Sequence, residues 1–572
     1  ALPAQEIWLA LAATHLARGE RKEAGAAIEQ VHDVAKRLKA TGAAAAARDL
    51  LERCVALAPD DANLHLSVGA ASLDANRPEE AKRQLERAAA LGARGGAVWD
   101  NLGLAHRLLG DEEQALLAFE RAVAAEPSLT PALANLVNAR YTLCEWDGLE
   151  AHEQRLIATL ADPASDPRWP PWIALSLPTS SAQQLAVARR WSNAMLPAPE
   201  PRRSVAPRQG RLRIGYLSGN FRDHPTGRLM AGLFEAHDRG KFEIIGYSYS
   251  RDAGGAIGAR IRAAFDRWRD VCDVGDAEVA RMIRDDGVDL LVDRHGYTLG
   301  GRLSILASRP APVQIHYMSF PGTLGYDAID GVVADVEVVP PGEERFFHER
   351  VWRLPRCYYV NDRRRGLPTP TPRSANGLPE DALVLACLNQ SHKLRRPLFT
   401  AWLAALRARR DAVLWLLAGS SRQVKNLRYE AERGGVDPDR LIFAHPVAQD
   451  AHIARLACAD LALDTLPYGA HTTGCDVLWT GVPMLTCRGA TFAGRVGASL
   501  LNAAGLPDLI ADSPEEYAAR LLELTSAPQR LREYRDYLNR TRETNALFDT
   551  AGFTRDWEAL LDEIYYAAAR GA

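Results

Sequence analysis

The sequence lacks several features that would place it in a functional class at once. No apolar run reaches the roughly 18 residues of a membrane span, and no basic stretch followed by an apolar core opens the chain, so we expect neither a membrane segment nor a secretory signal. The eight cysteines form no C-x-x-C pair and have no zinc-finger spacing, which predicts a reduced, cytoplasmic protein. A net charge of −3 favours neither nucleic acid nor an anionic membrane as partner.

Glycine-rich phosphate motifs are also missing. The chain has no G-x-G-x-x-G and no G-x-x-x-x-G-K-[ST], which argues against dinucleotide oxidoreductases and P-loop NTPases. A D-x-D pattern at Asp437 and Asp439 lies in a glycine-containing turn between a helix and a strand, so we interpret it as turn chemistry. We therefore expect no metal and no other cofactor. The 572 residues, 47% hydrophobic and 25% charged, predict a globular protein of several domains.

A repeat is present instead. Small and apolar positions recur after 34 residues, in the pairs Gly69/Gly103, Ala81/Ala115, Leu85/Phe119 and Ala88/Ala122. This spacing looks like the tetratricopeptide pattern of two antiparallel helices per repeat, and we assign it residues 1–160, with degenerate copies around residues 8–31 and 133–149. Such an array forms a concave surface that grips protein segments, or a cap that packs on the next domain; both interpretations stay open.

Prolines and a change of pattern mark the next boundaries. Residues 161–210 contain many prolines, including Pro163 and Pro207, and predict a connector with a helix over 182–195. Short apolar runs then alternate with helical stretches. The predicted strands are residues 213–218, 242–250, 289–294, 313–319 and 331–335, and then 383–388, 413–417, 441–444, 461–463 and 483–486.

Near-continuous apolar strands that alternate with helices indicate parallel sheets covered on both faces. An Arg- and Pro-rich break at residues 361–373 separates two Rossmann-like lobes, residues 211–372 and 373–552. A C-terminal helix in residues 553–572 is expected to pack across the lobes. The fold class is thus helical repeats followed by two α/β lobes, with ligands in the cleft at the carboxyl ends of the strands.

The second lobe contains the most informative stretch, from His471 through Thr472, Thr473 and Gly474 to Asp476. It joins a strand to a helix, and hydroxyls and free N–H groups at a helix N-terminus suit a pyrophosphate. A plain threonine N-cap is the alternative.

A cation for the same phosphate is found after the first strand of this lobe. Lys393 follows Asn389 and Gln390 at that strand's carboxyl end, where an ammonium can neutralise a departing diphosphate. A solvated surface lysine is the competing interpretation.

In the first lobe, His224 follows the first strand and enters a helix, where it can face the cleft. A neutral imidazole there can take a proton from an acceptor hydroxyl, or it can only hydrogen-bond the sugar or the loop. The loops at residues 293–298 and at Pro321, Gly322 and Thr323 fit sugar or phosphate contacts.

Together, the repeats and these motifs resemble the O-linked N-acetylglucosamine transferases, in a bacterial form. The resemblance implies a GT-B fold, a UDP-GlcNAc donor, inversion at the anomeric carbon and Ser/Thr acceptors in proteins. It implies that Lys393 meets the diphosphate, that Thr472, Thr473 and Asp476 hold phosphate, ribose or sugar, and that His224 matches a histidine whose role as base is contested in favour of the donor's phosphate. Further donor-binding positions implied by the match are Pro321, Gly322, Thr323, Asn389, Gln390, Ala448, His452, Arg455, His471 and Gly474.

This sequence departs from the animal pattern in three ways. The insertion between the lobes is replaced by the short segment 361–373, the uridine-site stretch 447–452 lacks a lysine and one residue, and the repeat array is shorter. Donors other than UDP-GlcNAc, such as GDP-fucose or UDP-glucose, and a non-catalytic repeat scaffold are the rival hypotheses. Partners are expected to be the nucleotide sugar and protein acceptors held by the repeats.

Overall fold

The computed structural model describes residues 4–40, 44–162, 164–205, 210–251 and 254–571, so Pro163 and Pro207 of the predicted connector lie outside the described residues. The described chain divides into two compact units. One comprises residues from 1–140, 151–169 and 275–278, and the other residues from 141–150, 170–274 and 279–572. No helix in the described ranges is both long enough and apolar enough to cross a membrane.

The smaller unit is built of helices that pack in antiparallel pairs. In chain order the first helices are α1 (Ala4–Ala17), α2 (Arg21–Ala40), α3 (Ala44–Leu57), α4 (Ala62–Asp74), α5 (Pro78–Ala90), α6 (Gly96–Leu108), α7 (Glu112–Ala125), α8 (Thr130–Thr142) and α9 (Leu149–Ala158).

The 34-residue period corresponds to the contacts between paired helices. A Cβ at Gly69 would lie 2.6 Å from Leu85 Cγ, and a Cβ at Gly103 would overlap the ring of Phe119. Both glycines are needed because the helices of a pair approach each other there. The structure therefore confirms the predicted helical repeats.

The larger unit contains the two sheets. Its strands are β1 (Leu212–Ser218), β2 (Phe242–Ser248), β3 (Arg267–Asp270), β4 (Leu290–Asp293), β5 (Val313–His316), β6 (Gly331–Asp335), β7 (Arg350–Leu354), β8 (Leu383–Cys387), β9 (Ala412–Leu417), β10 (Leu441–Ala444), β11 (Leu461–Leu463), β12 (Met484–Cys487) and β13 (Ile510–Ala511). The remaining helices are α10 (Pro171–Ala174), α11 (Ser181–Met195), α12 (Pro225–Ala236), α13 (Gly255–Ala263), α14 (Asp276–Asp285), α15 (Arg396–Ala408), α16 (Ser421–Arg433), α17 (Gln449–Leu456), α18 (Thr472–Trp479), α19 (Phe492–Ala504), α20 (Pro514–Ser526), α21 (Pro528–Thr541) and α22 (Thr550–Ala569).

Within the described residues the first sheet has the order β3-β2-β1-β4-β5-β6-β7 and the second the order β10-β9-β8-β11-β12-β13. All neighbouring strands are parallel. The strand order reverses between β1 and β4 and again between β8 and β11, which are the points where doubly wound sheets bind ligands. The two predicted Rossmann-like lobes are confirmed.

Three strands escaped prediction, and each is an edge strand of its sheet: β3, β7 and β13. An edge strand has one neighbour and a solvated side, so it does not need a continuous apolar run. β3 carries Arg267 and Arg269, which both form ion pairs with Asp286.

The C-terminal helix α22 packs on the first lobe. Trp557 is fully buried and its indole N–H donates to the Tyr216 hydroxyl of β1 at 2.8 Å. Its ring also lies 4.3 Å, centroid to centroid, from that of Tyr317. These contacts are with the first lobe, and the expectation that the helix packs across both lobes stays a prediction. The turn just before it contacts the second lobe through Phe548 and Trp479.

Candidate active site

The candidate residues converge because they follow the strands next to the two reversal points. His224 comes after β1, the loop 293–298 after β4, Lys393 after β8, and the stretch from His471 after β11. The carboxyl ends of these four strands lie next to one another in each sheet, so the two lobes present their candidate loops at the ends where a cleft forms.

Helix α18 offers its amino end to this cleft. His471 is the N-cap residue, and within the described chain no side-chain hydrogen bond caps the helix. The first N–H groups of α18 therefore stay available to an anion, which favours the phosphate interpretation over the plain threonine cap. Thr472 Oγ1 lies 3.0 Å from the Tyr359 hydroxyl. At Gly474, a Cβ would lie 2.8 Å from Leu500 Cδ1, so close helix packing requires the glycine.

Lys393 is a half-buried cation beside this helix. Its Nζ donates to the Gly469 carbonyl at 2.9 Å and lies 3.7 Å from the centroid of the Tyr468 ring. Burial lowers the pKa of Lys393 to about 8, although the nearby Asp464 acts in the opposite direction. The hydrogen bond, the ring contact and the lowered pKa favour a lysine held in the cleft over a solvated surface lysine.

Asp464 holds the loop that contains Gly469, the hydrogen-bond acceptor of Lys393. Its carboxylate accepts hydrogen bonds from the Thr465 and Ala470 N–H groups and, at 2.6 Å, from the Thr486 hydroxyl. Burial raises the pKa of Asp464. Sequence reasoning missed this residue, although an acidic residue directly after a buried strand is a signal. Asn389 also supports the loop by donating from Nδ2 to Thr465 Oγ1 at 3.1 Å.

Two more predicted donor residues have distinct surroundings. Gln390 is exposed, directly before the 3₁₀ turn Ser391–Lys393. His471 donates from Nε2 to the Ala493 carbonyl at 3.2 Å, and burial together with Lys393 holds its pKa well below the ordinary value. A neutral His471 thus lies beside the charged Lys393.

His224 is the N-cap residue of α12. Its Nδ1 accepts hydrogen bonds from the Thr226 N–H at 3.2 Å and from the Thr226 hydroxyl, 2.9 Å away. Burial and two nearby arginines, Arg222 and Arg294, lower the pKa of His224 to about 4. Because a backbone N–H can only donate, Nδ1 must be unprotonated, and the proton of the neutral ring resides on Nε2. In this state His224 can donate a hydrogen bond from Nε2.

Buried contacts join the first-lobe loops. Asp293 Oδ2 lies 2.7 Å from His316 Nδ1 and accepts from the Gly296 N–H at 2.8 Å. His316 Nε2 donates to the Phe320 carbonyl at 3.0 Å. The Asp293–His316 pair therefore holds the loop after β4 against the loop that carries Pro321 and Gly322.

Thr323 anchors the end of that loop. Its hydroxyl donates to Glu349 Oε2 at 2.6 Å, and both residues are buried. The Leu324 N–H donates to the other oxygen of Glu349 at 2.8 Å. Thr323 therefore has a structural role, since it fixes the end of the loop that contains Pro321 and Gly322. Its predicted contact with the donor remains a prediction.

The residues of the predicted uridine site surround the start of α17. Ala448 is its N-cap residue. Arg455 donates to the His445 carbonyl at 2.6 Å and to His452 Nδ1 at 3.2 Å. Burial and Arg455 lower the pKa of His452 to about 4, so its ring is neutral near pH 7. The ring and Ala448 together form an uncharged surface that suits a nucleobase.

A cavity opens between the lobes at α12, α17 and α18. It is lined by Pro225, Arg228, Leu229, Ile257, Arg260, Asp362, Arg364, Arg365, Gly366, Gln449, Asp450, Ile453, Thr472 and Asp476. Asp476 lies on the helix one turn beyond Thr472, and Arg365 Nη1 donates to its carboxylate at 2.8 Å. Sequence reasoning missed Arg365, because a charge in a linker does not reveal its distant partner.

The acidic D-x-D pattern has a local role. Asp437 Oδ1 accepts the N–H of Asp439 at 2.9 Å at the start of a 3₁₀ turn. Among the residues that the structure describes, no group of three or more His, Cys, Asp or Glu side chains is arranged to hold a metal ion.

Comparisons with known proteins agree with this architecture. The sequence model of glycosyl transferase family 41 matches residues 143–369 and 367–557, and a tetratricopeptide repeat model matches residues 97–129. The solved structure of a lysine-to-methionine mutant of Thermobaculum terrenum O-GlcNAc transferase superposes with a TM-score of 0.70 at 29% identity, covering 96% of this chain and 99% of that one.

Two curated relatives are similar over most of this chain. The probable UDP-N-acetylglucosamine–peptide N-acetylglucosaminyltransferase SEC of Arabidopsis thaliana is 33% identical over 445 residues, 74% of this chain and 46% of that protein. The UDP-N-acetylglucosamine–peptide N-acetylglucosaminyltransferase of Caenorhabditis elegans is 24% identical over 550 residues, 74% of this chain and 48% of that protein. The chain thus spans about half the length of these relatives. On the extent of the family match and the identity to the Arabidopsis protein, the chain belongs to glycosyl transferase family 41.

Proposed function

We propose that this chain is an inverting, metal-independent glycosyltransferase that moves GlcNAc from UDP-GlcNAc to Ser or Thr hydroxyls of proteins. The observation that carries the proposal is the half-buried ammonium of Lys393 beside the uncapped amino end of α18, at the reversal point of the second sheet. A cation and free N–H groups together suit a departing diphosphate. The names of the family relatives support UDP-GlcNAc as donor and peptides as acceptors.

The proposed reaction is a direct displacement. The acceptor oxygen forms a bond to the anomeric carbon while the bond from that carbon to the diphosphate oxygen breaks, through an oxocarbenium-like transition state. UDP leaves with the bonding electron pair, and Lys393 and the amino end of α18 stabilise its charge. No metal is needed for this step because the protein supplies the positive potential.

The proton of the acceptor hydroxyl must be taken up by another group during the transfer. His224 Nδ1 is occupied by Thr226 and its Nε2 carries the proton of the neutral ring, so this histidine is suited to donating a hydrogen bond. We assign the proton to a phosphate oxygen of the donor, and to His224 the task of orienting the sugar or the acceptor.

The acceptor and the compartment are part of the same proposal. The helical repeats are suited to gripping an extended protein segment, and we propose that acceptor proteins bind along them. Eight free cysteines, most of them buried, fit a reducing compartment, which supports a cytoplasmic location.

Calorimetry with UDP, GDP and UDP-GlcNAc, first without metal and then with excess EDTA, tests the proposal. We expect UDP to bind more tightly than GDP, with an affinity that chelation does not change. A preference for GDP would favour a fucosyl donor, and a lack of binding to either nucleotide would favour a scaffold. Transfer of labelled GlcNAc to protein, with UDP-glucose as competing donor, then identifies the sugar.

A further inference from the structure

The short segment between the lobes reaches into the cavity beside α18. Arg365, in this segment, donates from Nη1 to Asp476 Oδ1 at 2.8 Å and from Nη2 to the Cys475 carbonyl at 2.9 Å. Its guanidinium carbon lies 4.9 Å from the centroid of the Trp479 ring and 5.6 Å from that of Phe548. Two hydrogen bonds and two aromatic contacts give this side chain one orientation.

The ion pair lies out of solvent. The side chains of Arg365 and Asp476 are 12% and 6% exposed. Burial raises the pKa of Asp476, while the paired Arg365 acts in the opposite direction and favours the ionised form of the carboxyl. A buried carboxylate needs such a partner, because an uncompensated charge is costly in the interior.

A second residue holds the other carboxylate oxygen. Gln449, at the start of α17, donates from Nε2 to Asp476 Oδ2 at 3.3 Å. Asp476 is thereby held from two sides, by the linker and by α17, and both oxygens have a fixed direction.

The chemistry of Asp476 selects its ligand. An ionised carboxylate is only an acceptor and repels phosphate, so its ligand must donate a hydrogen bond. Asp476 is one helical turn from Thr472, where the phosphate is proposed to bind, and both residues line the same cavity. A nucleotide sugar has hydroxyls on both sides of its diphosphate, in the ribose and in the transferred sugar. Asp476 is held by Gln449 at the start of α17, next to Ala448 of the predicted uridine site, so the ribose is the hydroxyl-bearing group on its side.

We propose that Arg365, assisted by Gln449, is a positioning residue that orients the Asp476 carboxylate toward the ribose hydroxyls of the donor nucleotide. The inference rests on the proposed function, since it takes UDP as the nucleotide part of the donor. The inter-lobe segment thus sets the preference of the enzyme for ribonucleotides over deoxyribonucleotides.

Binding of UDP, 2′-deoxy-UDP and 3′-deoxy-UDP, measured by calorimetry, tests this role. We expect the wild type to bind UDP about 10-fold or more tightly than at least one deoxy analogue, as for a hydrogen bond to a charged group. In Arg365→Met that ratio should fall to about 3-fold or less, because the carboxylate is no longer oriented. Asp476→Asn should lose the ratio as well.

Arg364→Met is the matched control. Arg364 is the neighbouring arginine of the same segment and lines the same cavity, but it pairs with Glu235 at 2.9 Å and is 72% exposed. Its substitution should leave the ratio as in the wild type. Where Arg365→Met does not fold, Arg365→Lys takes its place, since lysine keeps the charge but cannot make both hydrogen bonds.

The possible failures are distinct. If the wild type does not bind UDP, the proposed function fails. If it binds UDP and both deoxy analogues equally, Asp476 is not a ribose acceptor, and the inference is overturned while the function stands. An undiminished ratio in folded Arg365→Met, or in Arg365→Lys if that variant is used, overturns the positioning role.

Discussion

At the scale of single residues, the cleft contains ionisable groups whose pKa values are shifted by burial. Lys393 has a lowered pKa, and His224, His295 and His452 each have a pKa lowered to about 4. The site near neutral pH therefore contains neutral histidines and a lysine close to its titration range. Such shifts are frequent where a protein binds a charged substrate.

Replacing Lys393 with Met should abolish turnover while the fold persists. The diphosphate would leave without a neighbouring cation, and we expect kcat to fall about 100-fold or more, as when an electrostatic contact to the transition state is removed. Initial rates and thermal melting of the purified variant measure this. Lys425→Met, on α16 in the same lobe, serves as a charge-matched control, and unchanged turnover in Lys393→Met would contradict the assignment.

The affinity for UDP should fall as the pH rises above about 8, by up to about tenfold per pH unit. In the proposed site Lys393 binds the diphosphate as an ammonium, and it loses its proton above the pKa of about 8. The pKa of Lys393 is lower in the folded state than in the unfolded state, so its titration makes the folded state more stable as the pH rises from about 8 to the unfolded pKa. Unfolding caused by this titration therefore cannot account for a loss of UDP affinity. Calorimetry from pH 7 to 9.5 should show the trend in the wild type and not in Lys393→Met.

The ratio kcat/KM should show no ionisation between pH 5.5 and 7. The pKa of His224 is about 4, so this residue stays neutral across that range. A pH–rate profile in three overlapping buffers measures this. A limb near pH 6.5 that disappears in His224→Asn, which preserves a good N-cap, would instead identify His224 as the base.

At the scale of elements, the turn that carries Lys393 is supported by residues 141–150. The Ser391 hydroxyl donates to the Thr142 carbonyl at 2.7 Å, and Arg422 pairs with Glu145 at 2.6 Å. The buried Trp146 packs edge-on against Phe399 of α15, centroids 5.4 Å apart. The position of Lys393 thus depends on a chain segment far away in sequence.

Trp146→Ala should destabilise the larger unit by about 3–5 kcal/mol, the usual cost of truncating a buried aromatic residue. We also expect weaker UDP binding, because the cavity loosens the turn of Lys393. Denaturant unfolding and calorimetry measure the two effects. Glu145→Gln, which weakens only a partly exposed ion pair, should cost about 1 kcal/mol or less. Equal effects of the two substitutions would argue against packing as the cause.

At the scale of the whole molecule, side-chain contacts connect the two lobes that a bound nucleotide would touch. Asp335 of the first lobe accepts a hydrogen bond from Ser499 of the second at 2.5 Å, and Arg488 pairs with Glu337 at 2.6 Å. The lobes are therefore joined close to the cleft as well as by the segment 361–373.

UDP at 100 times its Kd should stabilise the folded chain by about 2.7 kcal/mol, since it binds only the folded state. The thermal midpoint should rise with UDP and rise less with the same concentration of GDP. Excess EDTA should not change either shift. A UDP shift that EDTA removes would mean that a metal takes part in binding.

Some features of this protein were determined by the sequence alone. The helical period, the ten apolar strands and the stretch from His471 to Asp476 are local patterns, and neighbouring residues suffice to recognise them. For the same reason Lys393 and His224 could be named before the fold was known.

Tertiary structure decided the rest. The edge strands β3, β7 and β13 exist because a neighbouring strand pairs with them, which their own composition does not predict. The lowered pKa of Lys393 depends on burial by Tyr468 and Gly469, and the orientation of Asp476 on Arg365 and Gln449. Partners separated by 76 and 111 residues along the chain meet only after folding, so their contacts cannot be read from local sequence.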